Sequence, residues 1–332
     1  MPKEKILGFD IGNYRVKIAY MIGGVLHDFI SVQHPDNMVK NSQIVSWQAM
    51  GDYLKEVLKA SGIRGGRAAV TLPQDSCYIR RTTMPLMTEP QLKINLPYEF
   101  HDYITEEPEK YIYDYAVISK NEKEMDLMGV AVQRELVAKY QEMFHRAGLK
   151  LTVMAPDVMA FQNLFEDYER RHGIARGTKD YVVLDLGDGK IDIHFFTKGE
   201  YEITRSMEPG CHAIYEEAAK TLGEDSHVVQ RDAEMKLSAS DSLRAESEVN
   251  DICSNIAVQI MRVLNFYSFN NPHNTLDTLY CCGGGANIPI LMKDIAENAG
   301  LPLKSMAEIV EVDHKFDGQV LQSPQALGIT LQ

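Results

Sequence analysis

The chain has 332 residues, long enough for two domains with their own cores or for one large α/β domain carrying an insertion. Hydrophobic residues make up 45% and charged residues 24%, which excludes global disorder. A formal net charge of -13, from 34 basic and 47 acidic residues, excludes general nucleic-acid binding, which needs Lys and Arg to displace phosphate counterions. It leaves nucleotide binding open, because that relies on local backbone donors. The five cysteines are irregularly spaced with no Cys-x-x-Cys, so reduced buried thiols are expected rather than a zinc site.

The first residues run straight into a strand with no apolar signal core, and the uncharged stretch near Leu279–Met292 is too short and too rich in Gly and Pro to span a bilayer. A cytoplasmic protein is therefore expected. Ile6–Asp10 reads as a strand, Ile11–Arg15 as a turn, Lys17–Met21 as the return strand and Val25–Val32 as a third. Gln48–Ser61 has helical spacing, and the glycines of 62–66 break it. Arg67–Pro156 reads as a module of its own in the order β-β-α-β-β-α-β. Its strands are Ala68–Leu72, Cys77–Met84, Tyr113–Ser119, Leu127–Val132 and Leu149–Met154, and its helices are Pro90–Tyr103 and Arg134–Ala147. Asp157–Arg171 follows as a helix, and the polar stretch His172–Lys179 marks a domain boundary. The pattern then repeats: strand Tyr181–Asp185, turn Asp188–Lys190, strands Ile191–Thr197 and Glu200–Met207, helix Cys211–Leu222. A long helical region at Asp241–Phe269, a buried strand at Thr278–Cys282, a glycine triplet and a helix at Ile288–Ala299 complete the chain.

Chemistry concentrates at two hairpins. The first reads Asp10-Ile-Gly12-Asn13-Tyr14-Arg15-Val-Lys17, the second Asp185-Leu-Gly187-Asp188-Gly189-Lys190-Ile-Asp192. A tight turn directs several backbone N–H groups outward, and glycine lets them approach an anion closely. Two such turns can grip a polyphosphate. Asp10 and Asp185 at the strand ends suit a hydrated Mg²⁺, which keeps most of its waters, and Lys17 would neutralise phosphate charge. An Asp-Gly turn by itself is a common hairpin connector; the repetition at the start of two similar halves is what raises it. Neither hairpin fits a Walker or Rossmann glycine pattern. Gly283-Gly284-Gly285-Ala286, between an apolar strand and a helix, lets backbone lie flat against a base or ribose. Asp157 heads the helix Asp157–Arg171 and reads as its N-cap. Tyr98, Tyr103, Tyr111, Tyr113 and Tyr115 cluster in the module, as a docking face or as packing.

These motifs resemble the two phosphate motifs and the adenosine motif of the actin superfamily, and Ala326-Leu-Gly328 resembles its small-residue helix crossing between domains. The resemblance also gives Asp157 a second reading beside the helix cap, as the catalytic acid position at which the superfamily orients an attacking water. The module at about 67–150 is similar to the SHS2-type subdomain of the cell-division protein FtsA and of the type IV pilus assembly protein PilM. Val263-Leu-Asn-Phe-Tyr-Ser-Phe-Asn-Asn-Pro272, followed by Leu279-Tyr-Cys-Cys-Gly-Gly-Gly-Ala286, looks like the PilM family, and a stop at Gln332 without an amphipathic tail favours that family over FtsA. The resemblance departs at Asn13, where the family usually has a small hydroxyl residue. It departs again at Glu234 and Lys236, carried over as ribose contacts, which lie two apart and so cannot share a helix face.

The resemblance implies an α/β fold: actin-like duplicated ribonuclease-H-type domains around a nucleotide cleft, with an inserted small α+β (SHS2-type) subdomain. Residues 1–66, 150–178 and 325–332 would form the first domain, 67–149 the insert and 179–324 the second domain. The implied function is a cytoplasmic ATP-binding scaffold of type IV pilus assembly, with at most slow ATPase activity. It would bind ATP with Mg²⁺ and the tail peptide of a PilN-like membrane protein, besides other pilus assembly proteins. It would sit peripheral to the inner face of the cytoplasmic membrane through partners, with no nucleic acid and no membrane insertion. An FtsA-like filament former and a small-molecule kinase are the alternatives on the same fold.

Overall fold

The computed structural model describes residues 4–35, 37–226, 228–230 and 243–331. It divides into two compact units, Met1–Ala160 (with Gln332) and Phe161–Leu331. The division falls inside the helix Asp157–His172, before the polar stretch at 172–179. Phe165 of that helix stacks on Tyr181 at 4.1 Å and meets Phe196 edge-on at 5.1 Å, which ties the helix to the second unit.

Strands of the first unit are β1 (Lys5–Ile11), β2 (Arg15–Ile22), β3 (Val25–Gln33), the two-residue pair β4 (Val39–Lys40) and β5 (Gln43–Ile44), β6 (Arg67–Leu72), β7 (Cys77–Pro85), β8 (Tyr111–Lys120), β9 (Glu124–Gln133) and β10 (Lys150–Pro156). Its main sheet has the order β10-β6-β1-β2-β3. β1 pairs antiparallel with β2 but parallel with β6, and β6 is parallel to β10. The helix Trp47–Ala60 turns Met50, Leu54 and Leu58 onto this sheet, and the helix Arg134–Arg146 adds Tyr140, Met143 and Phe144. Spacings of three and four bring these side chains to one face. Gly62 and Gly148, at φ 72° and 79°, let the chain leave the two helices.

β7, β9 and β8 form a separate three-stranded antiparallel sheet, covered on one side by the helix Glu89–Asn95 and the turn Leu96–Phe100. β6 and β10 belong to the main sheet, so the inserted sheet begins at Cys77 and not at Arg67. The helix expected over Pro90–Tyr103 stops early and tightens into a 3₁₀ turn where Pro97 lacks the N–H to continue it. Tyr111, Tyr113 and Tyr115 pack into the insert core, whereas Tyr98 and Tyr103 are exposed.

The second unit holds β11 (Tyr181–Leu186), β12 (Ile191–Thr197), β13 (Glu200–Met207), β14 (Leu279–Cys282) and β15 (Leu303–Ser305), in the order β13-β12-β11-β14-β15. β11 is antiparallel to β12 and parallel to β14, repeating the pattern of β1 with β2 and β6. β11 reads as a nearly continuous apolar run because both its faces are covered. The helix Leu243–Asn270 lays Tyr267 on Phe195 at 3.8 Å, and the helices His212–Leu222 and Pro289–Asn298 complete the core. Among the described residues no helix is long and apolar enough to cross a membrane.

Candidate functional site

Parallel strands place their C-terminal ends along one sheet edge, where open α/β sheets bind ligands. In the first unit that edge carries Asp10 at the end of β1 and Asp157 directly after β10, with β6 between them. Two inter-strand steps set the two backbones about 10 Å apart. Thr71, buried on β6, donates from Oγ1 to the Phe9 carbonyl at 3.2 Å and closes the edge.

The first turn is internally braced. Gly12 N–H donates to the Arg15 carbonyl at 3.0 Å, and the buried His34 ring sits 3.0 Å from the Gly12 carbonyl. Lys17 Nζ donates to Asp10 Oδ2 at 3.1 Å, with both side chains about one-sixth exposed. A Cβ on Gly12 would come within 3.0 Å of Lys17 Nζ, so this glycine keeps room for the ammonium over the turn. Asn13 does not point outward: its Oδ1 accepts the Ser42 N–H at 2.6 Å and ties this turn to the one between β4 and β5. Tyr14 is buried, with the Arg15 guanidinium 5.6 Å above its ring.

The second turn is held by the start of the helix His212–Leu222. Gly210, Cys211 and His212 donate their N–H groups to the carbonyls of Gly189, Gly187 and Asp188, at 3.0, 2.9 and 2.9 Å. A planar trans peptide points its N–H opposite to its C=O. The N–H groups of Asp188, Gly189 and Lys190 are therefore directed away from that helix, as an anion cradle requires. Gly187 has no room for a Cβ, which would lie 2.5 Å from the Lys190 carbonyl, and Gly210 packs as closely on the turn. Asp188 Oδ1 accepts from Gln230 Nε2 at 2.8 Å and lies 3.5 Å from His212 Nδ1. That carboxylate raises the His212 pKa, against the opposing effect of burial. Lys190 reaches Asp192 at 3.5 Å, and Asp192 also accepts from Ser206.

The glycine triplet closes on this turn. Gly283, at φ 92°, lies against Asp185: a Cβ there would be 2.6 Å from both Asp185 Oδ1 and the Leu186 carbonyl. Gly285 is buried against Cys211 and Leu186, whereas Gly284 faces open space. Gln325, in the short helix Gln325–Gly328, donates to Asp185 Oδ2 at 3.2 Å, and its own Oε1 is buried with no hydrogen-bond partner among the described residues. Asn163 holds that helix through the carbonyls of Gly328 and Leu331.

The structure thus brings Asp10, Gly12 and Lys17 together in one unit, and Asp185, Gly187, Asp188, Gly189 and Lys190 together with Gly283–Ala286 in the other. Asp157 is the first residue of its helix and accepts the adjacent Val158 N–H at 2.7 Å, whereas a helix cap accepts from two or three residues further on. Glu234 and Lys236 lie outside the described residues. Sequence reasoning missed Gln325, Gly210, His34 and the pair His212–Gln230. Gly210, just before a helix and just after Pro209, carried a local signal; the others meet the turns only through the tertiary fold.

A protein-family model described as type IV pilus assembly protein PilM matches residues 8–325. Among solved structures, the chain is similar to the PilM-PilN type IV pilus biogenesis complex at 18% identity and a TM-score of 0.79, covering 98% of this chain and 97% of that one. It is also similar to ethanolamine utilization protein EutJ from Carboxydothermus hydrogenoformans, at 13% identity and a TM-score of 0.60, covering 99% and 90% of the two chains. MreB 5 of Spiroplasma citri bound to AMPPNP follows at 12% identity and 0.52, covering 96% and 97%. No curated protein matches significantly. The fold is actin-like, and the expectation of duplicated α/β units is met by the repeated strand order. With the family match spanning nearly all of its length, the chain belongs to the type IV pilus assembly protein PilM family.

Proposed function

We propose that the protein is a nucleotide-holding scaffold of type IV pilus assembly, binding ATP with Mg²⁺ and the cytoplasmic tail of a PilN-like inner-membrane protein. The observation that carries this is the repeated sheet edge. In each unit the parallel strands end in an aspartate beside a glycine turn with a lysine, in a chain of the PilM family. MreB 5 of Spiroplasma citri, of similar fold, was crystallised with AMPPNP.

The residues fit a hydrated Mg²⁺. Asp10 and Asp185 are partly exposed carboxylates, and the buried Gln325 Oε1 beside Asp185 suits a donor such as a metal-bound water. Bound Mg²⁺ would supply charge neutralisation to the phosphates. Gly12, Asn13 and Tyr14 would offer turn backbone, and Lys17 its charge. The N–H groups of Asp188, Gly189 and Lys190 would take phosphate oxygens, and Gly283–Ala286 the adenosine. Asp157 would orient water for slow hydrolysis.

We read the three-stranded insert as SHS2-type. Its outer strands β7 and β8 have unpaired edges within their sheet, to which an extended tail peptide can add. The PilM-PilN complex supports this choice of partner. Such a protein works at the inner face of the cytoplasmic membrane through its partners. Calorimetric titration of the full chain with a PilN-like tail peptide, with and without Mg-ATP, tests it. Binding of both ligands is expected; no peptide binding in either state would overturn the scaffold reading, and no nucleotide binding at millimolar ATP would overturn the site.

A further inference from the structure

A basic face occupies the sheet edge opposite to Asp10 and Asp157. β1, β6 and β10 start there side by side with Lys5, Arg67 and Lys150, in the register Ile6↔Arg67↔Lys150. Beside them lies a concave region of about 520 Å³ lined by Lys55, Lys59, Arg64, Gly62, Gly65 and Gly148, floored by Leu58 and Ile63. A second concavity of about 620 Å³ adjoins it through Gly148 and includes Lys150. Asp10 lies five steps along β1 (Lys5–Ile11) from Lys5 at this edge, about 17 Å at strand rise.

Charge there is only partly cancelled, and the one carboxylate that Lys55 acts on, Asp52, is bound by Arg146. Arg67 pairs with Glu4, and Lys59 meets Glu56 at 3.7 Å. Lys55, Arg64 and Lys150 are exposed and in no ion pair among the described residues. In a chain of net charge -13, unpaired cations gathered on one open face are a local reversal of sign. Cβ atoms at Gly62, Gly65 and Gly148 would meet nothing within 4 Å, so the face is shallow and unobstructed. A buried pocket would suit a small soluble anion; a wide, open, flexible set of cations suits a planar array of phosphates.

We propose that this face docks on the phosphate headgroups of an anionic membrane surface, setting the orientation of a protein whose overall charge that surface repels. The inference rests on the reading that the protein works beside a membrane. Each Lys or Arg close to an anionic leaflet contributes about fivefold in affinity, so three together contribute about a hundredfold.

The test is co-sedimentation of the full chain with phosphatidylglycerol-containing vesicles and with phosphatidylcholine vesicles, at low and physiological salt. The wild type should prefer the anionic vesicles, more weakly as salt rises, and Lys55→Gln/Arg64→Gln/Lys150→Gln should lose about a hundredfold. Unchanged thermal melting and Mg-ATP binding establish that the variant is folded; should it not fold, Lys55→Glu alone, on the exposed helix face, replaces it with the same expected direction. Equal binding to both vesicle types, or a folded variant that binds like wild type, would overturn the proposal. Displacement by millimolar inorganic phosphate would overturn it too, pointing to a soluble phosphate compound. Tail-peptide titrations run beside these separate the two readings: peptide binding without vesicle preference sinks only this one, and the converse sinks only the scaffold.

Discussion

Gly284 and Gly285 are neighbours with opposite surroundings, and each can be replaced by alanine. At Gly285 a Cβ would lie 2.9 Å from Leu186 Cβ and closer still to Cys211 Sγ, both buried. Ordinary carbon contacts sit at about 3.5–4.0 Å, so one or both must move by more than 0.5 Å. Cys211 heads the segment that grips the second turn, and Leu186 ends β11, so neither moves alone. Overpacking of this kind costs about 1–3 kcal/mol, and the upper figure applies where two buried neighbours are struck at once. For a unit of this size about 3 kcal/mol lowers the melting temperature by roughly 6–12 °C. Gly284→Ala meets nothing within 4 Å and should stay within about 0.5 kcal/mol of wild type. On the proposed adenosine assignment it should instead weaken ATP binding. Calorimetric melting and ATP titration of both variants decide. Equal destabilisation by the two, or a Gly285→Ala protein that melts like wild type, would refute the packing argument.

His194 lies wholly buried beside Phe161, and burial lowers its pKa from 6.5 to about 4. The folded state resists a proton that the unfolded chain accepts, so stability is complete above pH 6.5 and drains away as pH falls toward 4, by about 3 kcal/mol. His194→Asn, which keeps a partner for Thr204, should flatten urea-denaturation stability over that window; an unchanged slope would show that other groups set it. Asp10→Asn and Asp185→Asn should each weaken Mg-ATP binding about 10–100-fold while sparing ATP in EDTA, measured by fluorescent-nucleotide titration. Asp157→Asn keeps a side-chain oxygen for the Val158 N–H and should melt within about 0.5 kcal/mol of wild type. Any phosphate release that the wild type shows should fall in that variant, and unchanged release would leave Asp157 with a structural role alone.

Much of the fold was legible because its signals are local. The repeated Asp-x-Gly turns, each between two short apolar strands, mark β1–β2 and β11–β12, and the registers Asp10↔Lys17 and Asp185↔Asp192 follow from the turn lengths. The partners of β6 were not legible. A parallel strand pairs with segments far along the chain, so nothing near Arg67 distinguishes the main sheet from the insert that follows. Turn backbone was likewise readable at Gly187, whereas Gln325 reaches Asp185 from 140 residues away and leaves no mark in spacing. Asn13 and Tyr14 show the limit of a motif read by position: both sit in the expected turn, yet one side chain braces Ser42 and the other is buried.

The clamp of Gly210, Cys211 and His212 on the second turn bears on what solution exchange would report. These three amides donate to carbonyls of the protein itself, so their hydrogens leave only when the helix start and the turn separate. Deuterium uptake there is therefore a clock for opening of the second unit, nearly blind to ligand occupancy at fixed stability. The amides of Asp188, Gly189 and Lys190, on the other side of the same peptides, are the ones that slow when an anion arrives. A single turn thus carries both an internal reference and a sensor, one peptide plane apart.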